Sequence, residues 1–463
     1  MIKKLLYKKL TKTKFFYFIK RHNNDKRSKT LNKNLSVSVF VKMTSFLISF
    51  FLIPITLKYI KPSDYGIWLT ISSIYTFLGV LDIGLGSGLR VKLGEALTQN
   101  NVIRAKSYIS TTYFSLIVIL IPFTLAFIFF SELIDWGGLF KVDLIVKPEI
   151  DKLLFIIIIA FAIRIYVNLI NIIMTALQKT GINSIIDLLS NVCISIMVII
   201  IGNLGKLNLL YLGIIYSFIP VFVLITYSII FFAFINKKLC PSLSYFQIKD
   251  FNTLIGIGSK YFILQICSVI VLTSGNFIIA SLISPLEVTK YNLAQKYFSI
   301  IGAFYGFIVI PLVPAYNDAY YSKDFKWIED KISFMQKLWF ITLVIVIIQI
   351  ALSKWAYQIW LGNKVKIPFL LSCVVGLYWA VSGWSTIYAP FINSIGKVSI
   401  QLIQAIVSIF ITLGLSFFLI KIKNFGASGY VISSVLSILI SAMLLNIQYK
   451  KIIDNKAKGI WNK

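Results

Sequence analysis

The chain is poor in the residues from which most catalytic and metal sites are made. Its 463 residues include 4 cysteines and 1 histidine, and 17 acidic residues stand against 46 Lys and Arg. No CxxC pair and no Cys/His cluster occurs, so neither a metal site nor a disulfide framework is indicated. Cys193, Cys267 and Cys373 fall inside apolar segments, where cysteine behaves as a small hydrophobe, and Cys240 precedes Pro241 in a loop. The lone His22 sits in a basic tail, and no nucleophile–base constellation accompanies it. The expectation is a protein that is not an enzyme, with no metal and no cofactor. Charge of any kind is scarce at 14% of residues, which excludes a water-soluble globule.

What the chain has instead is apolar length. Hydrophobic residues make up 58% and the mean hydropathy is +0.84. A hydrocarbon core of ~30 Å needs about 20 apolar residues per helix. Segments of that order lie near residues 35–57, 65–81, 108–130, 153–177, 182–201, 207–235, 253–281, 288–314, 338–353, 368–392, 398–420 and 426–447. A dozen such segments cannot be packed inside a soluble core. The expected fold is therefore an all-α integral membrane protein with about twelve transmembrane helices.

Orientation follows from the loops. With the N-terminus cytoplasmic, 30 Lys and Arg fall on the inner side and 12 on the outer, and both chain ends are inside. The remaining four, Lys42, Arg164, Lys260 and Lys296, lie within apolar segments. The net charge of +29 is thus read as topology and contact with anionic lipid, not as a nucleic-acid surface. Residues 1–34 form a basic cytoplasmic segment, read as an amphipathic stretch on the inner leaflet or as a solvated tail.

Echoes between the halves point to duplication. Ala176–Ile185 and Phe391–Ile400 share Gly, Ser and Ile, with Gln178 and Asn393 each three residues before the Gly. Pro62-Ser-Asp64 pairs with Pro285-Leu-Glu287, and Lys42 with Lys260. The expected organisation is an N-lobe over 35–235, a cytoplasmic linker over 236–252, a C-lobe over 253–449 and a basic tail over 450–463. Six helices per lobe give the lobes the same orientation, related by a pseudo-two-fold axis around a central cavity.

Charges inside a membrane need a reason, since each costs ~2.5–3.5 kcal/mol at a helix centre on insertion scales. Arg164 lies about eleven residues into the fourth segment, ~16 Å deep, and heads a polar stripe of Asn168, Asn171, Thr175 and Gln178. Ser45 and Ser49 follow Lys42, Asn292 precedes Lys296, and Gln401 and Gln404 mark the eleventh segment. Lys42 and Lys260 are shallow enough to snorkel to the inner headgroups, and Lys296 to the outer ones. Asp187 is a candidate partner for Arg164 or an ion carrier, with Asp82 a second candidate for ion coupling. A wet cavity lined by Arg and Lys suits phosphate or pyrophosphate, whereas a cation extruder calls for carboxylates.

The run Asp82-Ile-Gly84-Leu-Gly86-Ser-Gly88-Leu-Arg90 is a weak nucleotide-loop match, because no P-loop Lys-Ser/Thr follows. Its glycines are expected to end the second helix and turn the chain onto the inner surface. Together with Pro62-Ser-Asp-Tyr65-Gly66-Ile-Trp68 and the half-repeats at Gly181 and Gly396, this run resembles the Wzx-type polysaccharide flippases, O-antigen and capsule repeat-unit translocases of the multidrug/oligosaccharidyl-lipid/polysaccharide exporter superfamily. The likeness covers residues 35–450. It implies two six-helix lobes, a cationic cavity and translocation of an undecaprenyl-pyrophosphate-linked oligosaccharide from the inner to the outer leaflet of the bacterial cytoplasmic membrane. Arg164, Lys42, Lys260 and Lys296 would then bind substrate, with Asn168, Asn171, Thr175, Gln178, Asn292, Gln401 and Gln404 lining the cavity. Implied partners are the lipid-linked oligosaccharide, anionic membrane lipids and the polysaccharide polymerase machinery, with no nucleic acid. The alternative is a cation-coupled drug or small-molecule antiporter of the same superfamily.

Overall fold

The computed structural model describes residues 26–78, 84–141 and 147–462, with side chains described outside 26–39, 74–78, 257–265, 267–268, 271–272, 307 and 310–311. The basic segment 1–25, Asp82 and the Lys260 side chain lie outside the described residues.

The first half contains α1 (Lys26–Tyr59), α2 (Pro62–Leu78), α3 (Leu85–Thr98), α4 (Val102–Glu132), α5 (Lys147–Ala176), α6 (Thr180–Asn203) and α7 (Leu209–Ile230), which runs on into a π-helical turn at Phe231–Ile235. A linker with two 3-10 turns leads to the second half: α8 (Ile248–Leu282), α9 (Pro285–Tyr321), α10 (Phe325–Leu361), α11 (Phe369–Ser394), α12 (Ser399–Phe417) and α13 (Ala427–Ile453). The described residues contain no strand.

Most of these helices are built on one apolar run, and several begin or end at residues suited to a helix boundary. Pro62 and Pro285 open α2 and α9 at the first helical position, where a missing N–H costs nothing. At the end where α1 begins, the turns share one form: a single left-handed residue at Asn100, Gln178, Lys323, Gly396 and Asn455. The next residue's N–H returns to a carbonyl of the last turn, Ala96, Met174, Ala319, Ile392 or Lys451. Two of these turns match across the halves in detail. Asn101 Oδ1 caps the N–H of Arg104 at 2.9 Å, and Asp324 Oδ1 caps that of Trp327 at 3.1 Å.

Among the described residues, 9 helices are long and apolar enough to cross a membrane by length and composition. α8 and α9, 35 and 37 residues long, are outside that number, as is α2 at 17 residues. Both α8 and α9 contain side chains outside the described residues. The expected turn after the second segment takes another form. Gly84 adopts φ 77 at the start of α3, and Leu85, Leu89 and Leu93 are fully buried against α4 and α5. α3 is thus the inner half of a broken second crossing, not a helix lying on the surface, because its leucines bury only in the bundle.

Counted with that broken crossing, the described helices run as twelve antiparallel passes in two lobes. Their packing is asymmetric from end to end. Away from the end where α1 starts and α13 finishes, one apolar core is shared by both lobes, from Leu52, Tyr65 and Ile71 through Leu153 and Val198 to Val288, Phe298, Tyr357 and Tyr430. Toward the termini the core divides. One part, around Leu89, Ile109, Phe161 and Ile173, belongs to the N-lobe and takes in Leu254 from the start of α8, and the other, around Tyr316, Ile332, Ile387 and Phe391, belongs to the C-lobe. Joined at one end and parted at the other, except where the start of α8 stays packed on α3 and α4, the lobes form a V.

Candidate substrate cleft

The closed end of the V is held by the starts of α2 and α9. Thr289 Oγ1 donates to the Pro62 carbonyl at 2.6 Å. Gly66 lies so near that a Cβ there would stand 1.8 Å from the Pro285 carbonyl oxygen. Nearby, Lys141 Nζ donates to the Leu282 carbonyl at 2.8 Å, and Lys364 Nζ to the Leu57 carbonyl at 2.7 Å. Phe50 stacks on Trp360 with ring centroids 4.2 Å apart. Deeper in, Asn292 Nδ2 donates to Asn276 Oδ1 at 2.6 Å, and Asn276 Nδ2 to Ser73 Oγ at 2.7 Å. Asn276 and Ser73 escaped the sequence reading, although an amide within an apolar run is the signal that marks such a residue.

Below this seal the N-lobe presents a polar file. α1 and α6 run side by side, and Asn191 Nδ2 of α6 donates to Ser45 Oγ of α1 at 2.7 Å. One turn toward the termini on the same two helices lie Asp187 and Lys42, and Arg164 of α5 joins them: both cations act electrostatically on the Asp187 carboxylate. One turn the other way, Lys296 of α9 crosses from the C-lobe to donate to Ser49 Oγ at 2.8 Å, its ammonium 4.7 Å from the centre of the Phe46 ring. The span from Lys42 to Ser49 is seven residues, or ~10 Å of helix. Lys296 thus faces the other lobe and does not reach for the outer headgroups. Lys42 and Asp187 are exposed and Arg164 is half-buried.

The stripe below Arg164 divides. Asn171 Nδ2 donates to Asn168 Oδ1 at 2.8 Å, and Thr175 Oγ1 to the Asn171 carbonyl at 2.8 Å. Asn183 of α6 ties this part to its neighbour, reaching the Asn171 carbonyl at 2.9 Å and Thr175 Oγ1 at 3.0 Å. Asn168 remains exposed, and Gln178 is the left-handed residue of the following turn. Gln404 hydrogen-bonds Ser408 on its own helix and the Ser437 carbonyl of α13 at 3.3 Å, which places it in the seam between α12 and α13. Gln401 is half-buried. On the C-lobe side of the seal, Gln295 Oε1 accepts from the Trp379 indole N–H at 2.9 Å, one residue from Lys296.

The arrangement therefore brings together Lys42, Arg164, Asp187 and, two turns higher, Lys296. Cations outnumber the carboxylate there, which favours an anion. No group of three or more His, Cys, Asp or Glu able to hold a metal occurs among the described residues.

A sequence model for the family described as polysaccharide biosynthesis protein matches residues 31–319. Among curated proteins, none matches. Solved structures share the fold at low identity. An inward-facing multidrug resistance MATE family transporter of the MOP superfamily aligns over 91% of this chain and 98% of its own, at 12% identity and a TM-score of 0.74. An outward-facing structure with the same description aligns over 93% and 97%, at 11% identity and 0.65. A mutant of a Vibrio cholerae MATE transporter aligns over 94% and 99%, at 14% identity and 0.62.

Proposed function

Because this chain belongs to the polysaccharide biosynthesis protein family, we propose that it flips an undecaprenyl-pyrophosphate-linked oligosaccharide from the inner to the outer leaflet of the bacterial cytoplasmic membrane. The product serves surface polysaccharide synthesis of the O-antigen or capsule kind, and both termini are cytoplasmic.

The observation that carries this reading is the V: one core shared at the far end, two cores toward the termini with the start of α8 packed on α3 between the lobes, and charged side chains in the cleft. Lys42 and Asp187 are exposed although they belong to crossing helices. Hydrocarbon penalises charge at that depth, so the space they face is read as water. A pyrophosphate entering from the termini side meets Lys42 and Arg164 first. It displaces Asp187 as their counter-charge and ends beneath Lys296. The glycan occupies the polar opening while the polyprenyl tail stays in the bilayer. Breaking the far-end seal and closing the termini end then exposes the pyrophosphate to the other side, which is alternating access between lobes.

The test is Arg164→Ala in a producing strain. We expect surface polymer to fall by at least tenfold, with the protein still present in the membrane at its normal level. Full-length polymer at wild-type amount in that strain would remove Arg164 from the mechanism. The antiporter reading is favoured by one observation, the Asp187 carboxylate among the cleft cations. It calls for dye export by whole cells that is lost in Asp187→Asn.

A further inference from the structure

A second cavity lies on the N-lobe away from the cleft. Tyr166 of α5 forms its floor, Lys106 and Tyr113 of α4 and Phe232 of the π-helical turn form its walls, and the linker from Lys237 to Ser242 closes the end nearer the termini. Its volume is about 620 Å³.

The rim of the groove is cationic. Lys106 and Lys237 both line it, and the Lys106 ammonium sits 4.5 Å from the centre of the Tyr245 ring. Its body is aromatic, with Tyr113 edge-on to Tyr166 at 5.0 Å and to Phe232 at 6.1 Å. At the back, the Tyr113 hydroxyl is buried without a hydrogen-bond partner, in a residue only 4% exposed. A buried hydroxyl is normally satisfied, so this one marks a place for an acceptor. Tyr113 is seven residues beyond Lys106, ~10 Å further into the membrane. The surrounding surface is lipid-facing in character: Ile103, Ile229 and Phe234 are 71%, 59% and 81% exposed.

We propose that this groove binds one anionic glycerophospholipid of the leaflet on the termini side. Its phosphate sits between Lys106 and Lys237, a glycerol ester carbonyl accepts from the Tyr113 hydroxyl, and an acyl chain lies over Tyr166 and Phe232. Charge selects the headgroup, as basic groups at this depth attract anionic lipid, and the apolar body excludes a free ion. The site is independent of the transport reading, since no residue of the cleft takes part.

The experiment is native mass spectrometry of the full chain released from vesicles of phosphatidylglycerol and phosphatidylcholine. We expect wild type to keep one phosphatidylglycerol through delipidation. Lys106→Gln with Lys237→Gln should weaken that binding about tenfold, or ~1.4 kcal/mol. Ala233→Trp fills the groove from an exposed position, leaves both lysines in place, and should weaken it by a similar factor. A melting temperature within a few degrees of wild type identifies each variant as folded. Equal retention of the two lipids, or undiminished retention by folded Ala233→Trp, would overturn the proposal. So would displacement of the lipid by inorganic phosphate, which would make this an ion site, or by a polyprenyl phosphate at much lower concentration, which would assign it to the carrier lipid.

Discussion

At the scale of single residues, two clusters of charge in this chain obey opposite rules. Those in the cleft are exposed or half-buried and have water or substrate to turn to. Asp250, at the start of α8, has neither: it is fully buried, accepts from Ser107 Oγ at 2.6 Å and pairs with Arg104 at 3.0 Å. Arg104 is 44% exposed, stacks on Tyr108 and bonds its hydroxyl through Nε at 3.1 Å. The two truncations should therefore differ. Arg104→Ala strands a carboxylate in a dry place and should cost about 3 kcal/mol. Asp250→Ala leaves a guanidinium that can rotate into water and should cost about 1–2 kcal/mol. Thermal unfolding in detergent orders them, and an equal loss in both would mean that Asp250 is already hydrated. Neither residue stood out in the sequence, because Arg104 and Asp250 read as ordinary loop charges until the linker folds back onto α4. That fold-back is a tertiary event with its own bonds: Ser242 N–H to Ser110 Oγ at 3.0 Å and Gln247 N–H to Thr111 Oγ1 at 3.1 Å.

Elements were far more legible, and the reason is local chemistry. Length of apolar run sets a crossing helix, and proline at a first position sets its start, so the twelve segments and the paired Pro62-Ser-Asp64 and Pro285-Leu-Glu287 could be read directly. The structure then packs those two starts against each other, where Gly66 allows the backbones to touch. The other repeat differs from its sequence pattern by three residues. The sequence pairs Gly181 with Gly396, yet the residue with the left-handed conformation in the first half is Gln178, and Gly181 lies inside α6. A left-handed turn tolerates a few non-glycine residues, so matching glycine to glycine misled. The expected turn of the chain onto the inner surface after the second helix fails for a similar reason: a glycine run does not say whether the next leucines, Leu85 and Leu89, will be buried. Gly66 carries a prediction at this scale. In Gly66→Ala the added carbon meets the Pro285 carbonyl at 1.8 Å and Thr289 Oγ1 at 2.8 Å, both in the other lobe. The clash penalises closure and leaves each lobe's own fold alone. An overpacking cost of about 1–3 kcal/mol should raise alkylation of a cysteine at Ser63, in a cysteine-free background, by roughly tenfold. Gly94→Ala, whose Cβ meets nothing within 4 Å, is the control and should leave labelling unchanged.

For the molecule as a whole, the far-end seal repeats itself across the pseudo-two-fold. Lys141, in the loop before α5, donates to the last carbonyl of α8; Lys364, in the loop before α11, donates to a carbonyl in the last turn of α1. α8 is the first crossing of its lobe as α1 is of its own, so each lobe sends one lysine to the C-terminal end of the other's first helix. A helix C-terminus carries partial negative charge and unpaired carbonyls, which makes it a natural seat for an ammonium. Both bonds must break if the far end is to open, and neither is deep, so each is worth about 1 kcal/mol at most. That is roughly fivefold in the balance between the two states for each latch. The latches share no partner, so their effects should add. Lys141→Gln and Lys364→Gln should each shift spin-label distances across the far end toward the open population by about fivefold, and the double variant by about twentyfold. A double variant no different from either single would mean that the lobes hinge on one latch alone, and that the duplicated design does not extend to its motion.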